Sequence, residues 1–161
     1  MNDVEKLVAF EEIRQLKARR VRCMDEKDWD GYAACHTPNA VSYTFQTENT
    51  GVSNPVVGGA AIAAQLARTL EGRTTAHQIH APEIELTSET TAKGIWPMED
   101  MLWWEADGKK LWLHGYGHYR ETYEKVDGRW LIASRALTRI RVDTGEQGQR
   151  DVMSASRGKI S

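Results

Sequence analysis

Asp25 closes a stretch, Val4 to about Asp25, in which Leu7, Phe10, Ile13, Val21 and Met24 recur on one side of a helix. Its azimuth is that of Leu7 and close to Ala18 and Val21, which puts it at the edge of the apolar stripe rather than on the wet face. A carboxylate so placed loses hydration, and it stays ionised only if donors reach it. Lys17 and Arg14 also intrude on that stripe. Histidine is the second candidate. His77 and His80 stand three apart on a strand and so face opposite sides of a sheet; at most one can enter an interior. His114 and His118 are four apart and share a face with Tyr116, while Gly115 and Gly117 take the other face, where a close approach or a bulge is expected. An aspartate and a histidine together form a general base, the carboxylate fixing the imidazole tautomer and stabilising the imidazolium. Tyr43 and Arg135 are polar tips inside β-like runs, suited to donating to an oxygen or holding a leaving group.

The elements that must position these groups can be read from pattern. A second short helix is expected over Asp28–His36 with Asp28 as N-cap, broken by Thr37-Pro38-Asn39. Ala40 to Gln46 alternates as a first strand, and a Gly/Asn/Pro-rich loop runs from Thr47 to Gly59. A third helix follows at Ala60–Leu70. Thr74–Leu86, Thr91–Ala106, Lys110–Val126 and Trp130–Val142 read as long strands, with turns at Pro82, Ser88-Glu89 and two Asp-Gly dipeptides. Helices first and long antiparallel strands after them predict an α+β fold: a cone-shaped barrel, with the helices packed into a strongly curved, mostly antiparallel sheet. One domain is expected over residues 1–143, followed by a polar tail, 144–161. Such a cone offers a mouth to a small molecule.

Composition excludes other classes. With 161 residues the chain makes one domain, and 21 Lys plus Arg against 23 Asp plus Glu leave no basic excess for nucleic acid or a membrane surface. No apolar run approaches a bilayer span, and the N-terminus lacks the pattern of a secretory signal. Two cysteines without C-x-x-C spacing suit a reduced, cytoplasmic setting. The sequence holds no P-loop, G-x-G-x-x-G, G-x-S-x-G or H-E-x-x-H, so no nucleotide, serine-hydrolase or metal chemistry, and no cofactor, is expected. The histidine row could in principle gather round a metal, but its spacing carries no ligand signature. Six tryptophans and five tyrosines, among them Trp96, Trp103, Trp104, Trp112, Tyr116 and Tyr119, supply candidate pocket walls; alternation lets only about half of them face inward.

Several segments resemble a known family. They are Glu12-Ile13-Arg-Gln-Leu16 leading to Asp25 and Trp29-Asp30-Gly31-Tyr32; His77-Gln-Ile-His80-Ala-Pro; Ala92-Lys-Gly94-Ile-Trp96; and His118-Tyr119-Arg-Glu-Thr-Tyr123 through Gly128-Arg-Trp130. Together they resemble the SnoaL-like branch of the nuclear transport factor 2-like superfamily over residues 5–142. Within that branch the chain is similar to cofactor-free lyases: scytalone dehydratase, bile-acid 7α-dehydratase and hexachlorocyclohexane dehydrochlorinase. The resemblance implies that Asp25 and His77 form the catalytic pair and that Arg135 is a pocket arginine. It places Tyr43 at a pocket tyrosine and implies a homotrimer. Met24 departs from scytalone dehydratase, which has a tyrosine before the aspartate. The expected function is β-elimination, of dehydratase, dehydrohalogenase or carbon–carbon-cleaving type, on a hydrophobic aromatic or polycyclic molecule. Asp25, His77 and Arg135 are its catalytic residues, and Tyr43, Trp96 and Tyr116 bind substrate. An isomerase that shuttles a proton within its substrate, and a non-catalytic binding module, are the alternatives.

Overall fold

The computed structural model describes residues 1–43 and 55–147. Helix α1 (Asp3–Glu26) starts at a capping box in which Asn2 accepts from the Glu5 amide and Glu5 accepts from the Asn2 amide. Its buried face is Ala9, Ile13, Leu16, Lys17, Arg20, Val21 and Met24. Leu7, expected in the stripe, is 66% exposed. Two cations replace it, because the interior this helix faces is partly polar.

Helix α2 (Trp29–Ala33) is N-capped by Asp28, whose side chain accepts from the Gly31 amide at 2.9 Å. It ends earlier than expected, and strand β1 (His36–Ser42) begins directly after it, ahead of the expected start at Ala40. Pro38 does not break that strand, because pairing with the last strand shifts register between His36 and Val41 and asks no amide of it there. The expected strand end at residues 44–46, the loop over 47–54 and the tail over 148–161 lie outside the described residues. Strand β2 (Val56–Val57) and helix α3 (Gly59–Thr69) follow.

The expected single strand Thr74–Leu86 is two, β3 (Thr74–Ile79) and β4 (Glu83–Leu86), divided at Pro82, which has no amide to give a ladder. Strands β5 (Thr91–Ala106), β6 (Lys109–Val126) and β7 (Arg129–Glu146) are long hairpin partners joined at Asp107-Gly108 and Asp127-Gly128, all four turn residues having positive φ. The sheet order is β2-β1-β7-β6-β5-β3, with β4 also on β5. All pairings are antiparallel except β1 with β7. The fold is α+β, with N-terminal helices on one face of a curved, unclosed sheet. Among the described residues no helix is long and apolar enough to cross a membrane.

On β5 the inward face is Ala92, Gly94, Trp96, Met98, Asp100 and Leu102; on β6 it is Gly115, Gly117, Tyr119, Glu121 and Tyr123. Two polar systems lie within this interior. Lys17 donates to Glu121 at 2.5 Å, with both side chains fully buried, and Tyr123 donates to the other Glu121 oxygen at 2.7 Å. His36 is buried, and its Nδ1 lies 2.9 Å from the Tyr32 carbonyl, which can only accept; Nδ1 therefore carries the proton.

This interior dictates an acid-labile fold. Burial, then the charges of Arg20 and Arg135, push His36 down to about 3 from an ordinary 6.5. Between those values the unfolded chain holds the extra proton, so stability rises with pH across this window. Glu121 opposes its own desolvation through Lys17 and Arg20 and is held at about 2, against an ordinary 4.5. Its contribution is complete above 4.5 and is lost as pH falls toward 2. Urea midpoints are expected to decline already below pH 6.5 and more steeply below 4.5, with His36→Asn flattening the part above 4.5 and lessening the slope from there down to about 3.

Candidate active site

α1 and β3 cross so that the last turn of the helix presents Asp25 to the strand's Thr75 and His77. Lys27 ends α1 in the left-handed conformation (φ 64°), turning the chain away immediately beyond the aspartate. Asp25 receives three donors. The His77 ring Nδ1 is 2.6 Å from Oδ1, the His77 amide is 2.8 Å from Oδ2, and the Thr75 hydroxyl is 2.8 Å from Oδ1. Lys27 in turn donates to the Thr75 hydroxyl at 2.8 Å. Burial resists ionisation of Asp25, but the His77 ring, the His77 amide and Thr75 outweigh it and hold the carboxyl below the ordinary carboxylate range. An ionised Asp25 only accepts, so Nδ1 of His77 bears the hydrogen, and in the neutral imidazole Nε2 carries the lone pair. His80, on the other face, lies 3.4 Å from Glu99 and takes no part.

Nε2 faces a second carboxylate. Asp100, opposite His77 in the β3–β5 register, places Oδ2 3.8 Å from it. Arg139 of β7 grips Asp100 with two bonds, 2.6 and 2.8 Å long. Gly115 makes this pair possible, since a Cβ there would fall on Asp100 Oδ1 and Arg139 Nη1. Both obstructing atoms are side-chain ends and can swing away, so Gly115→Ala is expected to displace the pair while the sheet survives. A loss of about tenfold or more in kcat, in a protein with a lowered Tm that still melts cooperatively, is the expected outcome in an activity and melting comparison. At Gly117 the obstruction is the Thr138 carbonyl, part of the bulge between β6 and β7.

Arg135 is 3% exposed and sits deeper, its guanidinium 5.6 Å from the centroid of Tyr119. The three residues expected to line a pocket are not gathered with the pair. Trp96 is 2% exposed within the core under α1, its indole N–H spent on Tyr123 at 2.7 Å. Tyr116 falls on the outer face of β6, stacked on His114, which bonds Glu99. The one-residue alternation of a strand puts it opposite Gly115 and Gly117. Tyr43 is 44% exposed and lines a groove of about 610 Å³ with Ile84, Ile95, Lys93, Arg120, Glu121 and Arg135. A second cavity, of about 550 Å³, is walled by Lys27, Trp29, Leu70 and Arg73, and neither Asp25 nor His77 lines it.

Sequence reasoning missed Asp100, Arg139 and Thr75. Asp100 alternates with Trp96, Met98 and Leu102, and an acidic residue inside an inward-facing apolar series is itself a signal.

The SnoaL-like domain model matches residues 5–136. Among solved structures, a candidate scytalone dehydratase from Novosphingobium aromaticivorans superposes with a TM-score of 0.74 at 21% identity, covering 92% of this chain and 94% of that one. A type 2 hexachlorocyclohexane dehydrochlorinase gives 0.76 at 14% identity, covering 92% and 95%. A type 3 enzyme from Novosphingobium barchaimii gives 0.74 at 14%, covering 92% and 97%. These likenesses show the fold, and the family match spans most of the chain: the protein belongs to the SnoaL-like domain family.

Proposed function

We propose that this protein is a cofactor-free lyase that performs β-elimination on a hydrophobic cyclic molecule, with His77 as the base. The observation that carries this reading is the triple clamp on Asp25, which leaves Nε2 of an otherwise buried imidazole as a lone pair. Nε2 removes a proton from substrate carbon, the C–H electron pair becomes the new π bond, and a β substituent departs with its own bonding pair. Asp25 stabilises the imidazolium from one side. The Asp100 carboxylate does so from the other, across 3.8 Å, and its pairing with Arg139 keeps it from claiming the imidazole proton outright. Arg135 supplies positive charge where the leaving group develops its negative charge. The proton then leaves His77 to water or to the departing group, which restores the base.

Asp25, His77 and Arg135 remain in the proposed machinery. The burial of Trp96 and the outer-face position of Tyr116 argue against giving those two substrate contacts, whereas Tyr43 lines the same groove as Arg135. The reading includes a homotrimer in the cytoplasm, the latter in keeping with the two buried, unpaired cysteines. Dehydratase and dehydrochlorinase names among the structural neighbours support a lyase in general terms.

The test is mass spectrometry of products from a panel of halogenated, hydroxylated and β-hydroxyketone ring compounds. Loss of HX, water or a carbonyl fragment supports elimination. A product of unchanged mass would replace it with isomerisation, and binding of panel members with no turnover would leave only a binding module.

A further inference from the structure

A cleft apart from the catalytic pair gathers cations. It is the cavity of about 550 Å³ where the C-terminal ends of α1 and α3 meet the start of β3. Its wall sets Lys27, Arg68 and Arg73 against one carboxylate, Glu71. Lys27 donates to Thr75, Arg68 donates to the Gln65 side chain, and Arg73 lies over the Trp104 ring, 4.6 Å from its centroid. Among the described residues none of the three is ion-paired with a carboxylate. A single unpaired cation on a surface is simply solvated. Three on one concave wall repel one another, and an anion between them relieves that repulsion. Lys27 and Arg73 are half-buried, which leaves their charges less screened than those of free side chains.

The remainder of the wall is apolar and aromatic, with Leu70 and a partly exposed Trp29. An indole beside guanidiniums suits a flat ring that itself carries the negative charge. The volume is that of a site for a small organic molecule. Lys27 also ties this cleft to Asp25. Its ammonium has three N–H donors; Thr75 takes one at 2.8 Å, the Met24 carbonyl takes one at 3.4 Å, and the third is left for the cleft. The Thr75 hydroxyl, accepting from Lys27, gives its only hydrogen to Asp25 Oδ1 at 2.8 Å. That same oxygen holds Nδ1–H of His77. Burial presses Lys27 below the ordinary lysine range against the pull of Asp25, so the two charges sense each other.

We infer that this cleft is a second binding site, for an aromatic carboxylate or sulfonate, and that its occupant acts on Asp25 through Lys27 and Thr75. An anion that draws on Lys27 weakens what the ammonium gives Thr75, and the Thr75 hydroxyl then becomes a poorer donor to Asp25. More charge stays on Oδ1, which tightens its hold on Nδ1–H of His77. As a control on catalysis this rests on the elimination reading; as a binding site coupled to Asp25 it does not.

The experiment titrates the full chain with naphthalene-2-carboxylate, naphthalene-2-sulfonate, naphthalene-2-carboxamide and acetate by calorimetry, while NMR follows the Nδ1–H proton of His77. Both aryl anions are expected to bind with a dissociation constant of about 1 mM or lower, and the carboxamide and acetate about tenfold more weakly or worse. Saturation with either aryl anion should move the Nδ1–H signal downfield. Arg68→Glu, a reversal on an exposed helix residue, should weaken aryl-anion binding by about tenfold or more. Thr75→Val breaks the relay without altering the wall: it should bind as the parent does, with the His77 signal moving by about half as much or less. Aryl anions that bind no better than the carboxamide or acetate overturn the site, and so does binding that Arg68→Glu leaves untouched, since it then occurs elsewhere. A His77 signal that stays still at saturation, or moves as far in Thr75→Val as in the parent, overturns the coupling. Failure of the elimination reading is a separate result, because affinity and the His77 signal are read without turnover. Where elimination is observed, saturating sulfonate should change kcat in the parent by about twofold or more and less in Thr75→Val; no change in the parent overturns the control on catalysis.

Discussion

Replacing His77 by glutamine is expected to lower kcat for elimination by about a thousandfold while leaving the fold intact. Glutamine is long enough to donate to Asp25 from the same place, so the clamp on the carboxylate persists. Its amide cannot accept a proton from carbon at neutral pH. Asp25→Asn should be about as damaging for a different reason. The asparagine can offer N–H instead of a carboxylate oxygen, and Nδ1 of His77 would then accept. The imidazole hydrogen would move to Nε2 and abolish the lone pair that faces Asp100. Because one proton transfer is lost in either case, the double variant is expected to be hardly worse than the worse single one. A product of the two separate losses in the double variant would mean that the residues do not act as a unit. Thr75→Val offers a milder version: it removes one of three donors to Asp25 and the anchor of Lys27 without touching the imidazole contact. A loss of about tenfold is expected, read as kcat against an unchanged affinity for a product or inert analogue.

The distribution of legible and illegible residues follows from what periodicity can encode. Strands β5 to β7 were readable because alternation and two Asp-Gly turns set their register independently of the rest of the chain, although β7 runs to Glu146, past its expected end at Val142 and into the expected tail. Asp25 was readable from its place beside Val21, although Leu7, the other marker of that azimuth, is on the wet side. A hydrophobicity pattern assigns charge to solvent, and α1 inverts that rule at Lys17 and Arg20. The partners that make such burial tolerable, Glu121 and Tyr32, are 104 and 12 residues away, and no local window contains both ends of the first pair. The same holds for Asp100, whose significance depends on Arg139 of another strand and on the absence of a Cβ at Gly115. Tyr116 shows the opposite failure. Its type suited a pocket, but the glycines on either side of it already marked the inward face as the other one.

The Lys17–Glu121 pair should dominate stability. Glu121→Gln is expected to cost about 3–5 kcal/mol in the free energy of unfolding, measured by urea denaturation at pH 7. The loss comes less from the bond than from what remains. Lys17, 0% exposed and 3.7 Å from the Tyr119 ring centroid, would be left against that ring with no anion to hold its proton, and Arg20 would lose its nearest anion. Tyr123, which donates to Glu121, would need the glutamine carbonyl, and that oxygen cannot serve Lys17 as well without the carboxylate's second acceptor. Burial already presses Lys17 well below its ordinary range against the pull of Glu121, so without that pull the amine is expected to be neutral in the fold. The variant should therefore gain stability as pH rises toward the ordinary lysine value, where the unfolded chain also gives up this proton, and the gain should begin at a lower pH than in the parent, whose Lys17 is held up by Glu121. Removing both partners, as Lys17→Met with Glu121→Leu, should recover much of the loss, since a well-packed apolar pair avoids both desolvation penalties. A double variant as unstable as Glu121→Gln would show instead that Glu121 acts chiefly through Arg20 and Tyr123, which place the charged interior on the side of the site rather than of the core.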